Sequence, residues 1–182
     1  MSRRPEARNI RRRCKWPSNP LAIAYHDKEW GVPVHNDRKL FECLILEGAQ
    51  AGLSWDTILA KRENYRRALH DFDFEKISRY TVKDKRRLLG NPGIVRNRAK
   101  IDATIVNARC FIALRKESGS FSRYLRGFAG GKAGAEALSK DLKKRGFNFV
   151  GPTIMYAFMQ ATGMVNDHEK HCFRRKQIDA RS

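Results

Sequence analysis

Residues 40 to 46 read Leu-Phe-Glu-Cys-Leu-Ile-Leu, and among them only Glu42 is polar. A helix that is apolar nearly all round is stable only inside a core, so this segment requires other elements packed about it on every side. No stretch of the chain alternates with period two, and nothing repeats at a fixed period. The fold class is therefore all-α, organised around a sunken helix. Directly after the apolar run comes Glu47, a carboxylate that enters a place with little water and is costly there without a partner. Gly48, Ala49, Ala51 and Gly52 then leave room for a ligand or another backbone, and Trp55 adds a flat ring. Carboxylate, space and ring suggest a pocket; the plainer alternative is a paired core glutamate beside helix-packing glycines.

Capping signals place the other helices. Asp37 starts the helix over about 38–51, and Ser54 starts a second that runs to about His70. A short helix ends at Tyr80, and another over 81–89 opens on Thr81 with Asp84 three residues on. After the Gly90-Asn-Pro-Gly93 turn, one long helix spans Ile94 to Arg115, with Ile101, Ile105, Ala108 and Ile112 on a common face. A short helix covers 121–127 and a glycine-rich loop 127–134. Helices over about 135–145 and 152–162 follow.

At 182 residues the chain can hold one sizeable core or two lobes sharing a cleft. Its 38 Lys plus Arg against 19 Asp plus Glu leave +19, a balance that points to a polyanion, most simply nucleic acid. An acidic membrane surface would call for an amphipathic or lipidated anchor that the sequence lacks. No apolar run reaches the length of a membrane span and no hydrophobic signal segment opens the chain, so the expectation is a cytoplasmic protein without membrane association. Residues 1–13, with six arginines, form a basic flexible arm; residues 14–182 form a single domain.

Cys14, Cys43, Cys110 and Cys172 are too scattered for a disulfide framework. Cys43 and Cys110 fall in apolar helical stretches and read as small core residues. His168 and Cys172 stand at H-x3-C spacing, and Cys14 and His26 can supply two more ligands. Two thiolates and two imidazoles make a closed tetrahedral zinc site, structural because no position is left for water. By chemistry alone His35 and His171 are alternatives. Asp167, beside His168, could orient that ring. Near the other end of the charge distribution, Gly146-Phe-Asn-Phe-Val-Gly151 joins two helices just after Lys143, Lys144 and Arg145. Such a hairpin can offer backbone amides to a DNA phosphate, although Pro152 removes one donor; a plain αα-hairpin with a glycine cap would look similar.

Several segments carry a family resemblance: Ala24-Tyr-His-Asp-Lys-Glu-Trp-Gly-Val-Pro33, Leu46-Glu-Gly-Ala-Gln-Ala-Gly-Leu-Ser-Trp55, Lys61-Arg-Glu-Asn-Tyr65, Gly93-Ile-Val-Arg96, Leu138 to Gly151 and Val165-Asn-Asp-His168. In these, the chain resembles the bacterial type I 3-methyladenine DNA glycosylases, nearly end to end. The resemblance implies the helix-hairpin-helix DNA glycosylase fold, two helical lobes around a base pocket, and zinc at Cys14, His26, His168 and Cys172. It implies substrate contacts from Tyr25, Glu47, Trp55 and Trp16, with Glu47 as the residue acting on the base. Leu53 falls where the family pushes a wedge into the DNA stack. Lys143, Arg145, Gly146, Phe149, Gly151 and Thr153 are the expected hairpin contacts to double-stranded DNA bearing alkylated bases. The implied enzyme is a monofunctional base-excision-repair hydrolase, a monomer needing no protein partner; the other reading is a zinc-containing DNA-binding module without activity. Family members often have a tyrosine where this chain has Ala22.

Overall fold

The computed structural model describes residues 11–180, and among these it contains ten helices and no strand. None of the helices is long and apolar enough to cross a membrane. The sunken helix is α2 (Asp37–Gln50), in which nine residues, including Leu40, Phe41, Leu44 and Leu46, are buried. It packs against α3 (Trp55–Ala68), α6 (Arg98–Ser118), α7 (Phe121–Leu125) and α9 (Pro152–Ala161). That surrounding is what its all-round apolar character requires. Phe111 of α6 sits at the middle of the core, 5.1 Å from the Phe41 ring, 5.0 Å from Phe74 and 4.4 Å from Phe121. Phe74 belongs to the short α4 (Phe74–Ile77), which with α5 (Val82–Leu89) covers the outer face of α6.

The expected boundaries hold where a cap fixes them. Ser54 accepts the Thr57 amide and starts α3, and the Thr81 amide donates to Asp84 at the start of α5. Elsewhere the structure differs. The cap of α2 is Asn36, whose side chain accepts the Lys39 amide; Asp37 is freed to accept Arg115 Nε at 2.6 Å and the Ser122 amide at 3.2 Å. The long helix begins at Arg98, because Asn97 accepts the Lys100 amide and residues 94–97 are spent in turns. Helix α8 (Lys132–Lys144) starts inside the stretch read as a glycine-rich loop. Gly134 permits this, since a β-carbon there would collide with the Ala129 carbonyl. Two further helices flank the core at the chain ends, α1 (Pro20–Lys28) and the unexpected α10 (Phe173–Asp179).

Most of the expected basic arm lies outside the described residues. Its last three members do not form an arm. The Arg13 guanidinium donates to both oxygens of Asp27, Arg12 O accepts the Phe173 amide at 2.9 Å, and Arg11 lies over the Phe173 ring.

Helices α8 and α9 pack on one another as a hairpin joined at 145–151. Gly146 adopts φ +90°, and its amide bonds Lys143 O at 3.0 Å while Phe147 N bonds Leu142 O at 3.0 Å. This is a Schellman motif, with buried Phe147 and Leu142 as its apolar contact. Gly151 then caps α9 and Pro152 takes its first position, where a missing amide costs nothing.

Candidate active site

Glu47 occupies the last turn of α2, is only 5% exposed, and has no hydrogen-bond or ion-pair partner among the described residues. Burial alone raises its carboxyl to about 8. The paired-glutamate alternative is thereby removed: Glu42 is the residue that answers that description. It is buried against Arg62 (2.7 Å), Arg66 (2.8 Å) and Lys39 (3.2 Å). Arg62 also grips Glu29 through two bonds, at 2.9 and 2.7 Å, and passes 5.8 Å from the Tyr25 ring. Helix α1 is thus bolted to α2 and α3, and Tyr25 is fixed by that bolt. Arg62 went unassigned in the sequence, although its spacing from Ile58 and Tyr65 puts it on the buried face of α3.

Glu47 lines a cleft of about 330 Å³ together with Trp16, Tyr25, Gln50, Trp55 and Asp167. Tyr25 and Trp55 lie 5.2 Å apart, centroid to centroid, and Trp16 meets Tyr25 edge-on at 6.3 Å. The four residues expected to hold a base therefore share one cavity, and Gln50 and Asp167 join them. Both were missed as lining residues because their placement depends on how α2 and α9 pack. Asp167 does not orient His168: its carboxylate accepts Tyr156 Oη at 2.8 Å and Gln160 Nε2 at 2.6 Å. Ala22 is fully buried beside Tyr25 and Leu59, so the position where the family often has a tyrosine lies against the Tyr25 wall.

Behind one wall of the cleft, Cys14, His26, His168 and Cys172 are all buried, with ligand atoms within 4.8 Å of one another. Measured edges are 3.4 Å from Cys172 Sγ to His26 Nε2, 3.5 Å to His168 Nδ1, and 3.6 Å from Cys14 Sγ to His168 Nδ1. Zinc bonds of usual length give tetrahedral edges of about 3.3–3.8 Å; these three edges fall in that range, and two thiols with two imidazoles are a donor chemistry that suits such an ion. The outer nitrogens are also spoken for: His26 Nδ1 faces Asp27 Oδ1 at 2.8 Å, and His168 Nε2 faces Trp30 O at 3.2 Å. These partners hold the inner nitrogens as lone-pair donors. The Glu169 amide donates to Cys14 Sγ. Exposed His35 stands outside the cluster, as does His171, which bonds Arg13 O. Trp16, two residues from Cys14, packs on the His26 ring at 5.6 Å, so the cluster and the cleft share their aromatic wall.

Leu53 is 41% exposed at the tip between α2 and α3. In the hairpin, the amides of Phe149, Val150 and Gly151 have no partner among the described residues, and Thr153 and Lys143 are exposed. Phe149 takes φ +55° and packs on α2, where a β-carbon at Gly48 would meet it at 3.2 Å. Arg145, also exposed, is ion-paired within the chain. Its guanidinium is tied to Asp141 and Glu117, each at 2.6 Å, and lies over the Tyr124 ring.

A sequence profile described as methyladenine glycosylase matches residues 15–175. The chain is 47% identical to the DNA-3-methyladenine glycosylase 1 of Escherichia coli K12, over 88% of its own length and 95% of that protein's. A crystal structure of a 3-methyladenine DNA glycosylase I superimposes with TM-score 0.85 at 49% identity, covering 89% of this chain and 98% of the other. Another, of the Staphylococcus aureus enzyme and described as the structural basis of its 3-methyladenine recognition, gives 0.83 at 37% identity over 87% and 93%. Matched by that profile over residues 15–175 and by these relatives over nearly its whole length, the chain belongs to the methyladenine glycosylase family.

Proposed function

We propose that this protein is a DNA glycosylase that extrudes 3-methyladenine from alkylated duplex DNA and hydrolyses its N-glycosidic bond; its relatives are 3-methyladenine DNA glycosylases. One observation carries the reading: an unpartnered, buried carboxylate, Glu47, facing a cavity walled by Trp16, Tyr25 and Trp55. A base alkylated at N3 is a cation. It matches a carboxylate whose ionised form lacks only a positive partner, and it matches the electron-rich ring faces, each worth about 1–2 kcal/mol when desolvated. Neutral adenine offers neither attraction.

The chemistry asks little of the protein beyond that selection. The C1′–N9 bond breaks with its electron pair going to the base, which leaves as neutral 3-methyladenine. The sugar cation takes the oxygen of a water, and a proton is lost to solvent. The alkylated base is already a good leaving group, so acid catalysis is superfluous. The attraction of Glu47 is strongest for the cation, and so it draws in the flipped base and weakens once the product is neutral.

The hairpin from α8 to α9 is read as the helix-hairpin-helix contact to the phosphate backbone, supported by its partnerless amides and exposed Lys143. Leu53 is the wedge. The Cys14, His26, His168, Cys172 cluster is read as a structural zinc site that fixes Trp16 against the cleft. The protein acts as a cytoplasmic monomer. The exposed lysines Lys140, Lys143 and Lys144 stand outside the cleft that Glu47 lines, which favours simple hydrolysis over lyase chemistry.

Incubation with methylated duplex DNA, followed by identification of the freed bases, tests this. Release of 3-methyladenine with no borohydride-trapped protein–DNA adduct is expected. Binding to that DNA without release of any base would leave a DNA-binding module instead.

A further inference from the structure

The turn that presents Leu53 is held from across the molecule. Helix α2 ends because Ala51 (φ −45°, ψ 116°) and Gly52 (φ +76°) adopt the two central conformations of a type II turn. A β-carbon on Gly52 would meet nothing, so glycine stands there for its φ alone. The turn is closed by Leu53 N donating to Gln50 O at 2.6 Å, and Ala51 N reaches Gly48 O at 3.4 Å. The carbonyls of Ala49 and Ala51 receive no backbone donor, the usual state of a helix C-terminus. Both accept instead from one ammonium: Lys100 Nζ lies 2.8 Å from Ala49 O and 2.6 Å from Ala51 O. Lys100 is the third residue of α6 and is half-buried, its side chain bordering a small cavity with Ile45, Ile94 and Phe149.

The same face of α6 holds the hairpin. Thr104 Oγ1 donates to Lys100 O, and one turn further Asn107 donates to Asn148 O at 2.9 Å and accepts from Asn148 N at 2.8 Å. Phe149 against Gly48 closes the triangle between α2, α6 and the hairpin. Helix α6 therefore sets the separation between the tip at Leu53 and the loop at 146–151.

We propose that Lys100 is a positioning residue for base extrusion, binding the carbonyls of Ala49 and Ala51 so that the Leu53 turn is held in register with the hairpin while the base is flipped. The proposal rests on the glycosylase reading and adds to it a side chain that touches neither base nor phosphate. A wedge ordered in advance does not lose conformational freedom as it enters the stack, whereas a turn with two bare carbonyls must be ordered by the DNA itself.

Single-turnover excision from methylated duplex DNA is to be measured for wild type, Leu53→Ala, Lys100→Met and the double variant, with free 3-methyladenine binding followed by tryptophan fluorescence. Lys100→Met keeps the apolar stem and removes the donors; it should slow excision by about ten- to a hundredfold and leave free-base affinity within about twofold. The double variant should be no more than about twofold slower than Leu53→Ala, as for two residues acting through one event. Lys100→Gln, retaining an amide donor, should fall between, and it carries the comparison if Lys100→Met does not fold. Effects that multiply in the double variant, or free-base affinity lost in step with excision, would overturn the proposal. So would a wild-type rate in Lys100→Met beside a slow Leu53→Ala. A wild-type rate in Leu53→Ala overturns it by removing the wedge, whereas no 3-methyladenine release by the wild type strikes the glycosylase reading itself.

Discussion

At the scale of the residue, Glu47 is a group whose cost to the fold and use in the site have the same origin. Its carboxyl rises from 4.5 to about 8 because water is excluded. Between those values the folded protein holds a proton that the unfolded chain has released, so stability falls as pH rises through that window. The slope is about 1.4 kcal/mol per pH unit, on the order of 4–5 kcal/mol in all. A glutamine of the same shape titrates nothing. Glu47→Gln should therefore match the wild type in denaturant unfolding near pH 5 and exceed it by pH 8; a stability difference independent of pH would mean that the carboxyl is not dry. The same variant should excise 3-methyladenine with a kcat/KM about ten- to a hundredfold lower, the loss of one charge-assisted bond to the cationic base in a desolvated site. Excision at the wild-type rate would remove Glu47 from base selection.

At the scale of the element, what was legible in the sequence was what short-range chemistry decides. Ser54 and the Thr81 to Asp84 pair mark helix starts within one turn, and the apolar run at 40–46 marks the buried helix. The Cys and His pairs at the two chain ends do converge: His26 lies on α1 and His168 and Cys172 flank the turn before α10, while Cys14 reaches them from the chain ahead of α1. What could not be read depends on distant packing. Lys100 looks like one more solvated cation at a helix start, and its partners are carbonyls 49 and 51 residues away in the chain. Arg145 likewise belongs to a basic run, yet Glu117 reaches it from 28 residues away. Metal should matter at this scale, since the cluster ties residue 14 to residue 172 and carries Trp16 with it. One zinc per chain is expected by elemental analysis. His26→Ala should lose it and lower the unfolding temperature by on the order of 10 °C, while His35→Ala should retain both; zinc lost from the second variant and kept in the first would misplace the site.

At the scale of the whole molecule, the +19 charge is far more than the fold needs, and only part of it is available to a partner. Arg13, Arg62, Arg66, Arg115 and Arg145 are committed to carboxylates inside the structure. Exposed Lys143, beside the hairpin amides and without an ion pair among the described residues, is the kind of cation that can displace a counterion from DNA. With about four phosphates neutralised, affinity for undamaged duplex should fall roughly a hundredfold as salt rises from about 50 to 200 mM. Lys143→Ala should weaken binding evenly across sequences and reduce the slope of log affinity against log salt by about 1. Arg145→Ala removes an equal charge, but that charge is already paired and braces α8 against the end of α6. It should lower thermal stability and leave the slope nearly unchanged. Measured side by side, equal slope changes in the two variants would show that Arg145 leaves its carboxylates for a phosphate when DNA arrives, and an unchanged slope in Lys143→Ala would move the phosphate contact away from the hairpin.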